Sequence, residues 1–153
     1  YQLQEAVLLP RPQRAGGPPV LIGGNGEQRT LPLVARYANE WNGVYLTAQR
    51  YATLSQRLDE LLIAQGRQPQ DVRRSLMTGL IFSADAAPSQ AQLQGMGFDS
   101  AEGARSRGMV VGGPTEVKEQ LGKLAAVGVQ RVMLQWMDLD NIEGLTALAK
   151  AVL

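Results

Sequence analysis

PPVLIGGNGEQRTLPLVARYANEWNG, residues 18–43, is the stretch on which the reading of this chain turns. Val20-Leu21-Ile22 is a short apolar, β-branched run, and Gly23-Gly24-Asn25-Gly26 cuts it off. An apolar run without alternation reads as a strand buried on both faces, as in a parallel sheet. After the glycines, Leu31, Val34 and Ala38 recur at helical spacing, which predicts a helix from about Glu27 to Asn39. A second strand, Trp41–Leu46, follows directly.

The same alternation continues towards the C-terminus. Thr47 is an N-cap candidate for a long helix with Tyr51, Leu54, Leu58, Leu61 and Leu62 on one face, stopped by Gly66 and Pro69. Ser75–Phe82 (SLMTGLIF) is the third strand. Residues 83–107 are polar and loosely patterned, with short helices expected near Ser89–Leu93 and Ser100–Arg107. Pro114 and Glu116 open a further helix whose apolar face is Val117, Leu121, Leu124 and Ala125, ended by Gly128. Arg131–Trp136 is the fourth strand and Gly144–Leu153 the closing helix. Towards the N-terminus, residues 1–19 carry the apolar run Ala6–Leu9 and then Pro10, Pro12, Gly16, Gly17, Pro18 and Pro19, a surface strap. Four strand–helix units argue for a parallel α/β sheet in one domain of 153 residues. By pattern alone it is either a small open doubly wound sheet or half of a barrel.

Composition narrows the chemistry. Fifteen Lys and Arg against fourteen Asp and Glu give a net charge of +1, no electrostatic footprint for nucleic acid or an anionic membrane. The chain has no Cys and no His, which removes disulfides, thiolate nucleophiles, imidazole bases and the usual zinc ligands. Carboxylates, Lys, Tyr, backbone amides or a borrowed cofactor are left. No carboxylate pair has a spacing that suggests acid–base work, and no metal site is expected. No apolar run reaches the roughly 20 residues of a membrane span. With no export signal, the expected location is cytoplasmic. Tyr1 in place of Met suggests a trimmed chain or a fragment.

Gly23, Gly24, Asn25 and Gly26 follow a strand and precede a helix, an arrangement that turns amides outward and suits a phosphate. The spacing is neither that of the dinucleotide fingerprint nor that of the P-loop, and a tight turn without a ligand is the competing reading. Gly112-Gly113-Pro114 reads first as a helix cap. Glu40-Trp41-Asn42 reads either as a half-buried Trp with polar neighbours or as the wall of a flat aromatic ligand. Gln135, Trp136 and Asp138 stand at the end of the fourth strand, where parallel folds meet ligands; ordinary packing is the alternative. Arg73-Arg74 and Arg105-Ser106-Arg107 read as solvated surface.

Three segments, PPVLIGGNGEQRTLPLVARYANEWNG, SLMTGLIF and GMVVGGPTEVKEQLGKLAAVGVQRVMLQW (residues 108–136), resemble in order and spacing the luciferase-like oxidoreductases. These are the flavin- or deazaflavin-dependent enzymes related to bacterial luciferase. The resemblance extends to the opening YQLQEAVLLPRPQ and is weakest over residues 84–107. It implies a (β/α)8 barrel of which this chain is the C-terminal half, strands five to eight. It also implies a cofactor, FMN or a deazaflavin of the F-420 type, at the carboxyl ends of the strands, used for hydride transfer to, or monooxygenation of, a small organic substrate. Carried over by residue, Gly23, Gly24, Asn25 and Gly26 would meet the phosphate-bearing tail, and Trp41, Asn42 and Gly43 would stand beside the ribityl chain and ring. Gln135 and Trp136 would face the pocket. No catalytic acid or base is assigned.

The first four strands of that family are missing here. A half barrel bares two strand edges and half of an apolar interior, so the expectation is a homo-oligomer or pairing with a missing N-terminal half, with rearrangement to an open sheet as the third outcome. A second function stays open: a non-catalytic α/β module that binds a phosphorylated ligand or a partner chain.

Overall fold

The computed structural model describes residues 1–153 except Tyr1, Leu3, Leu8 and Ala86, so those positions of the expected strap and polar stretch lie outside the described residues. Elsewhere in residues 1–19 no helix or strand forms, and Val7 and Leu9 are exposed. Twelve elements follow: β1 (Leu21–Gly23), α1 (Thr30–Tyr37), β2 (Glu40–Val44), α2 (Ala48–Ala64), a 3-10 turn (Pro69–Asp71), β3 (Arg73–Phe82), α3 (Gln90–Gly95), α4 (Ala101–Ser106), β4 (Val110–Gly112), α5 (Pro114–Ala126), β5 (Arg131–Gln135) and α6 (Ile142–Val152).

All strand pairs are parallel. β1 pairs β2 (Leu21 with Glu40), β2 pairs β3 (Glu40 with Arg73) and β5 pairs β3 along Ser75–Gly79. The last three residues of β3, Leu80–Phe82, instead pair with β4. The frame is therefore four long-range strands in the order β1, β2, β3, β5, with β4 added at the tip of β3.

Alternation along the strands sorts side chains into two layers. One face meets the helices. Trp41 and Leu76 there join Leu31 and Val34 of α1 and Tyr51, Leu54, Leu58 and Leu62 of α2, all fully buried. The α2 spacing of three and four residues is what lets one helix face fill that layer. Thr47 caps α2, its hydroxyl accepting from the Arg50 amide at 3.3 Å. A second group, Leu80, Phe82, Val110, Val117 and Leu148, sits under α5 and α6. A third, Ile81, Met109 and Val111 with Leu93 and Ala104, fixes α3 and α4 over the tip of β3.

Five sequence expectations need correction. The first helix begins at Thr30 rather than Glu27, because the Gly26 carbonyl accepts from Leu31, a wide turn that precedes helical pairing. The second strand stops at Val44, because Tyr45 turns into the left-handed region at φ 50°. β4 was not anticipated. Arg74 is not solvated: it is buried, ion-paired with Asp59, and donates to Ser55 Oγ at 3.1 Å and to the Val72 carbonyl at 3.1 Å. Arg105 is likewise occupied, donating through Nη2 to the Val111 carbonyl at 2.9 Å.

Candidate functional site

The carboxyl ends of β1, β2, β3 and β5 all point the same way, so the residues that follow them share one rim. Three strand spacings separate β1 from β5, roughly 14 Å at the usual 4.8 Å per step.

The glycine loop is held from behind. The Gly24 amide donates to the Asn42 carbonyl at 2.9 Å, and the Trp41 indole Nε1 donates to the Gly24 carbonyl at 2.8 Å. Asn25 spends both ends of its side chain on Val44: Nδ2 donates to the Val44 carbonyl at 2.7 Å, and Oδ1 accepts from its amide at 2.9 Å. Its side-chain carboxamide thus continues the β1–β2 ladder by one rung. Gly24 sits at φ 122°, a conformation that L side chains rarely adopt, and a Cβ on Gly26 would lie 2.9 Å from Thr30 Oγ1. Clamped in this way, the amides of Asn25, Gly26, Glu27, Gln28, Arg29 and Thr30 have no acceptor among the described residues. Nor does Glu27 leave a bare negative charge in the loop, since Arg50 Nη2 meets it at 2.5 Å.

Trp41 and Gly43 therefore do not face the rim. Trp41 is fully buried and stacks on Tyr51 at 4.9 Å between ring centroids, and a Cβ on Gly43 would meet Leu46 and Tyr51. Both lie on the helix side of β2, and Asn42 alone of the three is on the opposite face. Asn42 is buried there and donates from Nδ2 to Ser75 Oγ at 2.9 Å. Gln135 and Trp136 separate in the same manner. Trp136 turns to the α6 side, with its ring 6.5 Å from Phe82 and its Nε1 donating to the Asp138 carbonyl at 2.6 Å. Gln135 stays on the rim and accepts a hydrogen bond from the Tyr45 hydroxyl.

Tyr45 is the residue that sequence reading missed. It leaves β2 with φ 50°, anchored by its amide to the Met77 carbonyl at 2.9 Å, and its phenol crosses β3 to reach Gln135 on β5. It passes over Gly79, where an added Cβ would lie 3.3 Å from the Tyr45 ring and 2.5 Å from the Met109 methyl. A non-glycine residue in this conformation costs about 1–2 kcal/mol. The glycine in the middle of an otherwise apolar strand was the available signal.

Two cavities border this region. One, of about 410 Å3, lies beyond the tips of β3 and β5 and is lined by Phe82, Ser83, Gln92, Trp136 and Asn141 among others. The other, of about 400 Å3, lies between α2, α4 and α5, with Glu102, Arg105, Glu116 and Lys123 on its wall and none of the expected site residues. The Gly112-Gly113-Pro114 turn acts as a cap, the Gly113 amide donating to Glu116 Oε2 at 3.1 Å. Among the described residues no group of three acidic side chains is placed to hold a metal, and no helix is long and apolar enough to cross a membrane.

No protein-family model and no curated protein matches the sequence. Solved structures do match. A coenzyme F-420 dependent tetrahydromethanopterin reductase from Methanopyrus kandleri superposes with TM-score 0.67 at 14% identity, over 88% of this chain and 50% of that one. An F-420-dependent secondary alcohol dehydrogenase, solved with an F-420–acetone adduct, gives 0.69 at 13% identity over 97% and 53%. The oxygenating constituent of 3,6-diketocamphane monooxygenase from Pseudomonas putida, solved with FMN, gives 0.60 at 11% identity over 90% and 50%. The chain has the fold of half a luciferase-like barrel. It spans about half the length of each structure it matches. The sheet is thus a partial barrel, and the doubly wound alternative falls.

Proposed function

We propose that this luciferase-like half barrel is the C-terminal half of an oxidoreductase that uses reduced FMN or a deazaflavin of the F-420 type on a small organic substrate, in a cytoplasmic setting. The observation that carries the reading is the run of six unspent amides, Asn25 to Thr30, at the rim of four parallel strands. An anion fits there: the amides and the start of α1 supply donors and a positive dipole end, and Gly26 leaves room for close approach. The fit for a flat ring is narrower. Asn42 and Gln135 face the concave side, while Trp41, Gly43 and Trp136 are turned into the helix layer, where Trp41 holds the loop and Trp136 the β5 tip.

When bound, such a cofactor supplies the redox chemistry, hydride transfer or activation of dioxygen. The chain's own part is to bind and orient. Trp41 and Asn25 fix the loop so that its amides point outward without further ordering on binding, and the Tyr45–Gln135 bridge fixes the height of the rim.

Fluorescence titration with FMN and with coenzyme F-420 tests this. Gln28→Glu places a negative charge on an exposed residue next to the free amides, where it favours α1 but repels a phosphate. The expected result is unchanged folding and an affinity lower by about tenfold. If neither cofactor binds the folded chain, nor the same chain with its upstream half restored, the reading fails and the phosphoryl-ligand or partner-binding module replaces it.

A further inference from the structure

The bridge between Tyr45 and Gln135 leaves hydrogen-bonding capacity unused at one point of the rim. The phenol donates to Gln135 Oε1, so the phenol oxygen keeps its lone pairs and Gln135 Nε2 keeps both protons. None of these meets a partner among the described residues. Reversing the carboxamide, so that Nε2 donates to the phenol, leaves a free O–H beside a free carbonyl oxygen. In either orientation one donor and one acceptor stand side by side. Such a pair complements an edge that itself carries an N–H next to a C=O, as in an imide or a lactam.

The surroundings are built around this pair. Tyr45 reaches it only by holding φ 50°, uncommon for a residue with a side chain, and its amide is tied to the Met77 carbonyl at 2.9 Å. Gln135 lies opposite Gly79 in the register of β3 and β5. A Cβ on Gly79 would come within 3.3 Å of the Tyr45 hydroxyl, so the bare glycine leaves the phenol its place. Directly below on the same face, Val44, Met77 and Met133 offer no competing side-chain N–H or O–H. Resting on the cofactor reading above, we propose that Tyr45 and Gln135 together recognise the pyrimidinedione edge of the cofactor's ring, its N3–H meeting their acceptor and a neighbouring ring carbonyl meeting their donor. FMN and the F-420-type deazaflavins share that edge, so the pair holds either ring. The free amides of Asn25 to Thr30 lie at the β1 end of the rim, whereas the bridge joins β2 to β5. Phosphate and ring edge are thus recognised at separate places.

The test compares binding of FMN with binding of N3-methyl-FMN by fluorescence titration, in whichever form of the chain, alone or with its upstream half, binds FMN. Where F-420 is the cofactor bound, it is compared with its own N3-methyl derivative. Methylation removes the N3 donor and leaves the phosphate untouched, so wild type should bind the methylated form about tenfold more weakly. Tyr45→Phe keeps the ring over Gly79, and Gln135→Met keeps the length of the side chain. Each should bind the unmodified cofactor about fivefold more weakly, with unchanged circular dichroism, and should discriminate against methylation by no more than about twofold. A merely structural role for the bridge would not change that discrimination. Equal binding of the two forms by wild type overturns this inference and leaves the cofactor reading standing, as does discrimination that persists in both variants. If neither FMN nor F-420 binds either form of the chain, the cofactor reading fails and this inference falls with it.

Discussion

The two faces of one sheet are built from neighbouring residues and have opposite characters. On the helix side, Trp41, Tyr51, Leu54, Leu58, Leu62 and Leu76 are fully buried, and the Arg74 guanidinium is buried with three different acceptors. On the concave side, one residue along each strand, Leu21, Met77 and Met133 remain partly open, and the buried polar pair Asn42–Ser75 is joined by a Glu40 oxygen without a partner among the described residues. The first face is complete within this chain; the second is complete only when something else covers it. Stability and function therefore separate by face rather than by element.

Truncation is the strongest way to break that contrast. Leu58→Ala removes a fully buried side chain from the closed layer and should cost about 3 kcal/mol in urea unfolding. Met77→Ala, on the open face, should cost about 1 kcal/mol in dilute solution. With the upstream half restored the open face is covered, so the Met77→Ala cost should grow while the Leu58→Ala cost stays the same. Equal costs in both forms would erase the distinction.

Tyr51 gives a smaller effect with a definite sign in pH. Burial pushes its phenol well above the ordinary value of 10.0, with Arg74 opposing and Glu40 adding, and the hydroxyl donates to the Ser75 carbonyl at 3.2 Å. The folded chain keeps this proton where the unfolded chain releases it. The contribution is thus fully present below pH 10.0 and falls as pH rises beyond it, by at most about 1.4 kcal/mol per pH unit. Tyr51→Phe keeps the stack on Trp41 and should cost about 1 kcal/mol at neutral pH. Its deficit should shrink above pH 10.0 in denaturation midpoints. A constant difference across that range would mean that the phenol is not held protonated.

Period and punctuation made much of the fold legible. Thr47, Gly66, Pro114 and Gly128 mark helix ends where the structure has them, and the four apolar runs are the four frame strands. β4 was missed because three residues, Val110–Gly112, are too few to show a period and merge with the glycine cap that follows. The site was less legible for a different reason. In Glu40-Trp41-Asn42-Gly43-Val44 no alternation of apolar and polar residues announces which side meets the helices, and parity decides every role. An indole N–H or a carboxamide suits a ligand as well as a loop carbonyl. Only tertiary placement assigns Trp41 and Asn25 to the loop's support.

Tyr45 tests whether the rim, like the concave face, gives up stability that the chain alone does not recover. Its left-handed backbone costs about 1–2 kcal/mol, and its bond to Gln135 returns about 1 kcal/mol. Asn tolerates φ near 50° far better than Tyr. Tyr45→Asn should then leave the melting temperature within a degree or two, or raise it, while freeing Gln135 and uncovering Gly79. Cofactor affinity should fall at the same time by about fivefold, on the scale of one lost positioning contact. A large drop in melting temperature would instead make Tyr45 a structural strut, with its strained backbone repaid by packing over Gly79 and Met109 rather than reserved for a ligand.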